Sequence, residues 1–259
     1  MIYVHIGAGA GDLDAGALFR DGFSEFVKQI DDDDKRIYVV EANPSNISKL
    51  EETWKNYKNV KIFNFAISSS VKYEKKIKFY YSLNDAPHYQ LFSNDIEHVK
   101  KYYKDLNRIK FKYIDCVKIN EFLDKNFNDK KINYFSIDIE GMDYEVIQDI
   151  DLKKFEIINF SFEHLQLDLN QKINILRKFL KFNYSYNGSG IDHNNFDWTF
   201  KKKVSIWNNL IFFFIIFISK KQFLQYVIKS NQYNVAPTHN KHLVLHVHIG
   251  ALLYHIFHS

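Results

Sequence analysis

Ile2-Tyr3-Val4-His5-Ile6-Gly7-Ala8-Gly9-Ala10-Gly11-Asp12 is the stretch on which the fold turns. Ile2–Ile6 is a short apolar run rich in β-branched residues, the pattern of a strand buried on both faces. The glycines that follow let the backbone approach a ligand, because no side chain stands in the way. Beyond them Ala17, Leu18, Phe23, Phe26, Val27 and Ile30 recur at helical spacing, and Asp31-Asp32-Asp33-Asp34 closes the segment as a solvated turn. A helix start offers unpaired N–H groups to a negative group, so strand, glycine turn and helix together form a phosphate- or nucleoside-binding unit. It is not the dinucleotide fingerprint, whose third glycine would stand where this chain has Asp12. Nor is it a P-loop, since no Gly-Lys-Ser/Thr follows.

Reading outward, Ile37-Tyr38-Val39-Val40-Glu41 predicts a second buried strand, stopped by Asn43-Pro44. Ile47, Leu50 and Trp54 mark a helix starting near Ser45, and Val60–Phe65 is a third strand that Ala66-Ile67-Ser68 leaves. Val71–Leu83 reads as a hairpin strand, Asn84–Asn94 as a loop, and Ile96–Leu106 as a charged helix. Asn133–Ile139 predicts a fourth strand running into Asp138-Ile139-Glu140-Gly141, with a helix through Tyr144, Val146 and Ile147 behind it. Glu156–Glu163 is a fifth strand, Leu169–Leu180 a helix, and Phe182–Tyr186 with Phe196–Phe200 a closing pair of strands. Repeated β-α-β units favour an α/β fold with a mostly parallel sheet and helices on both faces. Ligands of such sheets sit beyond the carboxyl ends of the strands. The glycine turn, Glu41, Ala66, Asp138 and Glu163 all fall at strand ends, and that convergence is the strongest functional argument in the sequence. An acid closing the second strand can accept both hydroxyls of a ribose, which makes a bound adenosine the natural occupant.

The 259 residues and their 46% hydrophobic content leave room for one large α/β domain with an appendage and exclude global disorder. Lys+Arg 35 against Asp+Glu 31 leaves no concentrated basic composition, so a dedicated nucleic-acid binder is not expected. A lone cysteine, Cys116, excludes an internal disulfide framework and a multi-cysteine zinc site. The N-terminus lacks a basic region ahead of its apolar run, so it does not read as a secretory signal and a reduced, cytoplasmic compartment is expected. Residues 1–200 read as the domain and 201–259 as an apolar, His-rich accessory segment. Within the latter, Val204–Ile218 is flanked by lysines. As a helix it spans roughly 22 Å, short of the roughly 30 Å hydrocarbon core, so it is expected to pack on a protein surface. Peripheral membrane contact through 204–218 is the alternative, because cationic flanks and apolar aromatics suit an interface. His246 and His248 share one strand face, but no acid or cysteine stands near them to complete a metal site.

Val4–Gly11, Val39-Val40-Glu41-Ala42-Asn43-Pro44, Phe65-Ala66-Ile67-Ser68, Ser136-Ile137-Asp138-Ile139-Glu140-Gly141 and Phe162-Glu163, in this order and spacing, resemble the FkbM family of S-adenosylmethionine-dependent methyltransferases. The resemblance covers about residues 2–200, and Glu-x-Asn-Pro and Asp-x-Glu-Gly are its specific elements. It implies a Rossmann-like methyltransferase fold with a seven-stranded sheet, and O-methylation of a hydroxyl on a sugar, glycan or small metabolite. By the same resemblance Gly7, Ala8, Gly9 and Gly11 pass along the methionine part of S-adenosylmethionine. Glu41 holds the ribose hydroxyls with Asn43 beside it, Ala66 and Ile67 border the adenine, and Asp138 faces the cofactor's amino group or the reacting centre. Glu140 lies toward the acceptor. Two departures matter: His5 stands where such enzymes carry an acid, and Ser136 replaces a lysine that often precedes this motif.

An alcohol is weakly acidic, so a base or a metal should assist its deprotonation as the methyl group arrives. Asp138, Glu140, Glu163 and His164 are the candidates, with Glu140 or His164 expected as the base and Asp138 orienting. Plain structural roles compete, Glu140 as a helix cap and His164 as a hydrogen-bonded core histidine. A divalent ion among these side chains is possible and not favoured. His88, Tyr89, Ser93 and Asn94 lie on a loop expected to overhang the cofactor. Two other functions compete: a catalytically weak or partner-dependent nucleoside-binding module with a membrane- or protein-docking tail, and a nicotinamide oxidoreductase, which Asp12 disfavours.

Overall fold

The computed structural model describes residues 1–13, 21–85, 91–128, 130–139, 141–191 and 197–203. Ala17, Leu18, His88, Tyr89, Glu140 and the expected tail segment 204–259 lie outside them. Ten strands and six α-helices are described. β1 (Ile2–Ile6) is buried at every position, His5 included. α1 (Gly22–Lys28) follows, its start capped by the Asp21 carboxylate, which accepts from the Phe23 and Ser24 N–H groups. β2 (Arg36–Val40), α2 (Ile47–Trp54) and β3 (Val60–Phe63) complete the first half. β4 (Ala66–Ser68), β5 (Lys76–Ser82), α3 (Ile96–Tyr102), β6 (Ile109–Lys118) and α4 (Ile119–Phe127) lie between the halves. β7 (Ile132–Ile137), α5 (Asp143–Asp149), β8 (Ile157–Glu163), α6 (Leu169–Lys181), β9 (Tyr184–Ser189) and β10 (Asp197–Lys202) form the second half.

The main sheet has seven strands in the order β3-β2-β1-β7-β8-β10-β9. β3, β2, β1, β7 and β8 pair in parallel, and β10 runs antiparallel between β8 and β9. The architecture is the Rossmann-like α/β fold expected. Two layers of side chains clothe the sheet. On one face Tyr3, Ile37, Val39 and Tyr134 pack with Phe23 and Val27 of α1 and Leu50 and Trp54 of α2. Strand alternation sends the neighbours of these residues to the opposite face. There Tyr38 meets Phe127 of α4 edge-on at 4.6 Å, Phe135 meets Phe160, and Phe160 and Phe162 pack on Phe179 of α6. Each such ring contributes roughly 1.5–3 kcal/mol through burial.

Three parts of the chain differ from the reading of the sequence. Ala66-Ile67-Ser68 does not merely leave the third strand but forms β4, which pairs with β6 in a second sheet of order β4-β6-β5. β6 and α4 were not expected, although Ile109-Lys110-Phe111-Lys112-Tyr113 alternates and Ile119, Phe122, Leu123 and Phe127 recur at helical spacing. In β6 exposed Lys110, Phe111, Tyr113 and Asp115 are interspersed with buried Ile114 and Cys116, because only one side of this small sheet is covered. The closing strands form an antiparallel pair in which the later one, β10, takes the inner place beside β8, and β10 runs to Lys202. Among the described residues no helix is long and apolar enough to cross a membrane.

Candidate active site

Strand register alone assembles the site. Ile6 of β1 pairs with Val40 of β2 and with Ile137 of β7, and Ile137 pairs with Phe162 of β8. One step further on, Gly7, Glu41, Asp138 and Glu163 therefore stand in a row at the carboxyl edge of the sheet. Antiparallel pairing of Asp197 with Glu163 adds the first residue of β10 to that row. Between β1 and β7 the strand order reverses direction, and crevices open at such switch points. A cavity of about 610 Å³ lies here. It is lined by Gly7, Ala8 and Gly9, by Glu41, Ala66 and Ile67, and by Asp138 and Glu163.

The glycine turn is held tightly. Gly7 has φ +85° and donates its N–H to the Val40 carbonyl at 2.8 Å. A Cβ added to it would lie 1.6 Å from the Asp138 carbonyl oxygen, so only glycine lets β1 and β7 leave the sheet side by side. Gly9 donates its N–H to Glu41 Oε2 at 2.8 Å, and Asn43 donates its own to Oε1 at 2.6 Å. The Glu41 carboxylate thus orders both loops of the cradle. Its acceptor capacity exceeds two hydrogen bonds, and it lines the cavity, which suits it to ribose hydroxyls. Ala66 and Ile67 add a buried apolar stretch to the lining beside Glu41.

Gly11 and Asn43, expected at the cofactor, do not line the cavity. Gly11 (φ +63°) lies against Thr53 of α2: an added Cβ would meet both Thr53 branches at 2.8 Å. Thr53 in turn donates its hydroxyl to the Ala10 carbonyl. Asn43 is buried, and its side chain accepts the Ser45 N–H at the start of the turn leading into α2. Both residues shape the cradle from behind. His164 also stands off the lining and stacks on Trp198 with ring centroids 4.2 Å apart. Glu140 lies outside the described residues, so the cavity unites Asp138 with Glu163 and the cofactor cradle.

The departure at position 5 has a structural counterpart. His5 lines the cavity, is 7% exposed and packs its ring on Phe23 at 4.6 Å. Burial lowers its pKa, with Asp21 at 3.8 Å opposing the shift, so the ring is neutral at pH 7. Behind the Asp138–Gly141 turn, buried Asp143 accepts the Ile139 N–H at 3.1 Å. Desolvation pushes its carboxyl up to about 6, against backbone hydrogen bonds that favour the charged form. Asp143 thus holds the backbone that leaves the β7 strand end. Among the described residues no group of three histidine, cysteine or carboxylate side chains could hold a metal ion.

Several lining residues escaped the sequence reading. His98 and Tyr102 of α3, Tyr103 behind them, Phe79 of β5, and Leu165 and Gln166 after β8 all reach the cavity. For the residues of α3 the sequence signal is a charged helical pattern, which does not say where the helix docks.

None of the curated proteins matches this chain. Solved structures similar to it include precorrin-6y C5,15-methyltransferase from Geobacter metallireducens, 15% identical, covering 78% of this chain and 80% of that one with a TM-score of 0.38. Fibrillarin of Aeropyrum pernix, solved with natively bound S-adenosyl-L-methionine, is 9% identical over 77% of this chain and 64% of that one, TM-score 0.39. TrmK of M. capricolum, solved with S-adenosyl-homocysteine, is 11% identical over 99% of this chain and 91% of that one, TM-score 0.40. At such values the likeness carries nothing about substrates. The family model of the methyltransferase FkbM domain matches residues 5–186 of the 259, and with the glycine turn, Glu41 and the Asp138 strand end all inside that span, the chain belongs to the FkbM family of S-adenosylmethionine-dependent methyltransferases.

Proposed function

We propose that this methyltransferase methylates a hydroxyl oxygen of a sugar, glycan or other small molecule. The observation that carries the reading is that one cavity holds both the cofactor cradle and two strand-end carboxylates, Asp138 and Glu163. Bound there, S-adenosylmethionine supplies an electrophilic methyl carbon on a sulfonium, which becomes a neutral thioether once the methyl group has moved. The chain's own residues do the rest. Gly7, Ala8 and Gly9 offer backbone to the methionine part, Glu41 takes the ribose hydroxyls, and Ala66 and Ile67 border the base.

On the acceptor side the lining of the cavity supports an order among the candidates. Glu163 is the group we assign to take the hydroxyl proton as the C–O bond forms, with Asp138 orienting the acceptor. Glu140, two residues beyond Asp138 in the sequence, belongs to the same assignment as a second acceptor-side carboxylate. His164 acts through Glu163: its stack on Trp198 steadies the end of β8 against β10. The 201–259 segment is proposed as an accessory to residues 1–200.

Calorimetric titration with S-adenosylmethionine, beside Glu41→Ala and with NADH as control, tests the cofactor site. Micromolar-range binding that Glu41→Ala abolishes, and no NADH binding, is the expected result. A screen of hydroxyl acceptors by S-adenosylhomocysteine release then follows, in which Glu163→Gln should lower turnover by about 10²-fold or more, the usual size of a general-base contribution. Absence of cofactor binding by folded protein would overturn the reading.

A further inference from the structure

The part of the cavity that the cofactor cradle does not use has its own chemistry. Phe79 and Phe92 stack with centroids 5.0 Å apart, and His98 meets Tyr102 edge-on at 5.6 Å, so this wall is built of aromatic rings. A polar pair is set into it: His98 Nε2 and Gln166 Nε2 lie 3.3 Å apart, with His98 only 4% exposed. Burial lowers the His98 pKa and nearby Lys101 adds to the effect, which keeps the ring uncharged at pH 7.

Charge is distributed one way. Asp21, Glu41, Asp138, Glu163 and Asp197 all line the cavity, yet among the described lining residues there is no lysine or arginine, in a chain with 35 of them. A cationic cofactor is welcome in such a field. A phosphate beside the acceptor-side carboxylates is not: it would lose its hydration and meet like charge without a counter-ion.

We propose that the wall made by α3, Phe79, Phe92 and Gln166 is the acceptor subsite, and that it selects an uncharged hydroxyl-bearing ring, such as a neutral glycoside, over phosphorylated acceptors. The apolar face of the ring lies on the aromatic side chains, and a ring hydroxyl exchanges hydrogen bonds with the His98–Gln166 pair. Acceptors that would bring a phosphate into the cavity are disfavoured by the same electrostatics. This selection deepens the methyltransferase reading and rests on it.

The test uses the full chain loaded with S-adenosylhomocysteine and two probes that share a phenyl group, phenyl β-glucoside and phenyl phosphate, titrated by calorimetry. Expected is binding of the glucoside at least about tenfold tighter than of the phosphate. His98→Ala should weaken the glucoside by about tenfold and leave S-adenosylhomocysteine affinity unchanged. Gln166 is exposed, so Gln166→Lys leaves the core intact and should raise phenyl phosphate affinity by about tenfold or more. Phosphate binding as tightly as glucoside, binding of neither probe, or an unchanged preference in Gln166→Lys would each overturn the subsite. Failure of S-adenosylhomocysteine itself to bind would instead overturn the methyltransferase reading beneath it.

Discussion

Gly7→Ala is the sharpest perturbation of this site. The new Cβ falls 1.6 Å from the Asp138 carbonyl oxygen and 2.6 Å from its carbon, where real Cβ atoms essentially never come closer than 3.0 Å. The backbone of Asp138 must therefore retreat by about 1.4 Å to reach the edge of ordinary contact. That retreat breaks the bond from the Asp138 N–H to the Ile6 carbonyl, now 2.9 Å, at a net cost of about 1 kcal/mol. A non-glycine residue held at φ +85° adds about 1–2 kcal/mol, and crowding a packed strand end adds about 1–3 kcal/mol. Together these reach about 3–6 kcal/mol, a large share of the 5–15 kcal/mol that holds a typical domain folded. Urea unfolding followed by far-UV circular dichroism reads the loss directly, as a fall in the midpoint of about 2 M for 4 kcal/mol at an m of about 2 kcal/mol/M. Gly188→Ala is the control: its φ is +96°, but nothing lies within 4 Å of an added Cβ. It should cost only the backbone strain. If Gly7→Ala falls within about 1 kcal/mol of Gly188→Ala, the Asp138 carbonyl gives way freely and the reasoning is refuted.

Gly11→Ala should destabilise as well, but through a side chain. Thr53→Ala removes the atoms it strikes, so a double-mutant cycle should show favourable coupling of about 1 kcal/mol or more, and strict additivity would contradict the contact. Asp143 predicts a pH effect. Its folded carboxyl, at about 6 against an ordinary 3.8, binds its proton more tightly than the unfolded chain does, so stability falls as pH rises between these values and stays lower above them. The full difference is roughly 3 kcal/mol. Asp143→Asn should flatten that slope in urea midpoints measured across the interval, and an unchanged profile would assign the slope elsewhere. Asp168→Ala breaks the capping box with Gln171 at the start of α6. It should cost about 0.5–2 kcal/mol of stability and leave S-adenosylmethionine affinity untouched, and a changed affinity would show that α6 is coupled to the cavity.

Much of the site was legible because it depends on local chemistry. Parallel strands buried on both faces leave continuous apolar runs, so Ile2–Ile6 and Ile37–Val40 announce themselves. The residues at their ends, Gly7 to Gly9 and Glu41, are polar or small where a core strand has no reason to be. β4 was hidden, since a strand of three residues shows no period, and β6 was obscured because its alternation puts Phe111 and Tyr113 on the exposed side while Ile114 and Cys116 are buried. α3 was legible as a helix but not as a cavity wall. His98 reaches Gln166 only because β5 and the rest of the small sheet carry α3 to the edge of the main one.

By itself, then, the order of residues determined the alternation of strands and helices, the glycine turn, and which acids stand at strand ends. These follow from side-chain size, backbone freedom and hydrophobic period within a few residues. Tertiary structure alone decided which of those residues share a cavity. Gly11 turns to Thr53 of α2 and His164 to Trp198 of β10, each toward a partner distant in the chain, while Asn43 caps the turn that begins just beyond it. Gly7, Glu41, Asp138, Glu163 and Asp197 fall into one row because β1, β2, β7, β8 and β10 pair in one register, and register is a property of the sheet, not of any strand within it.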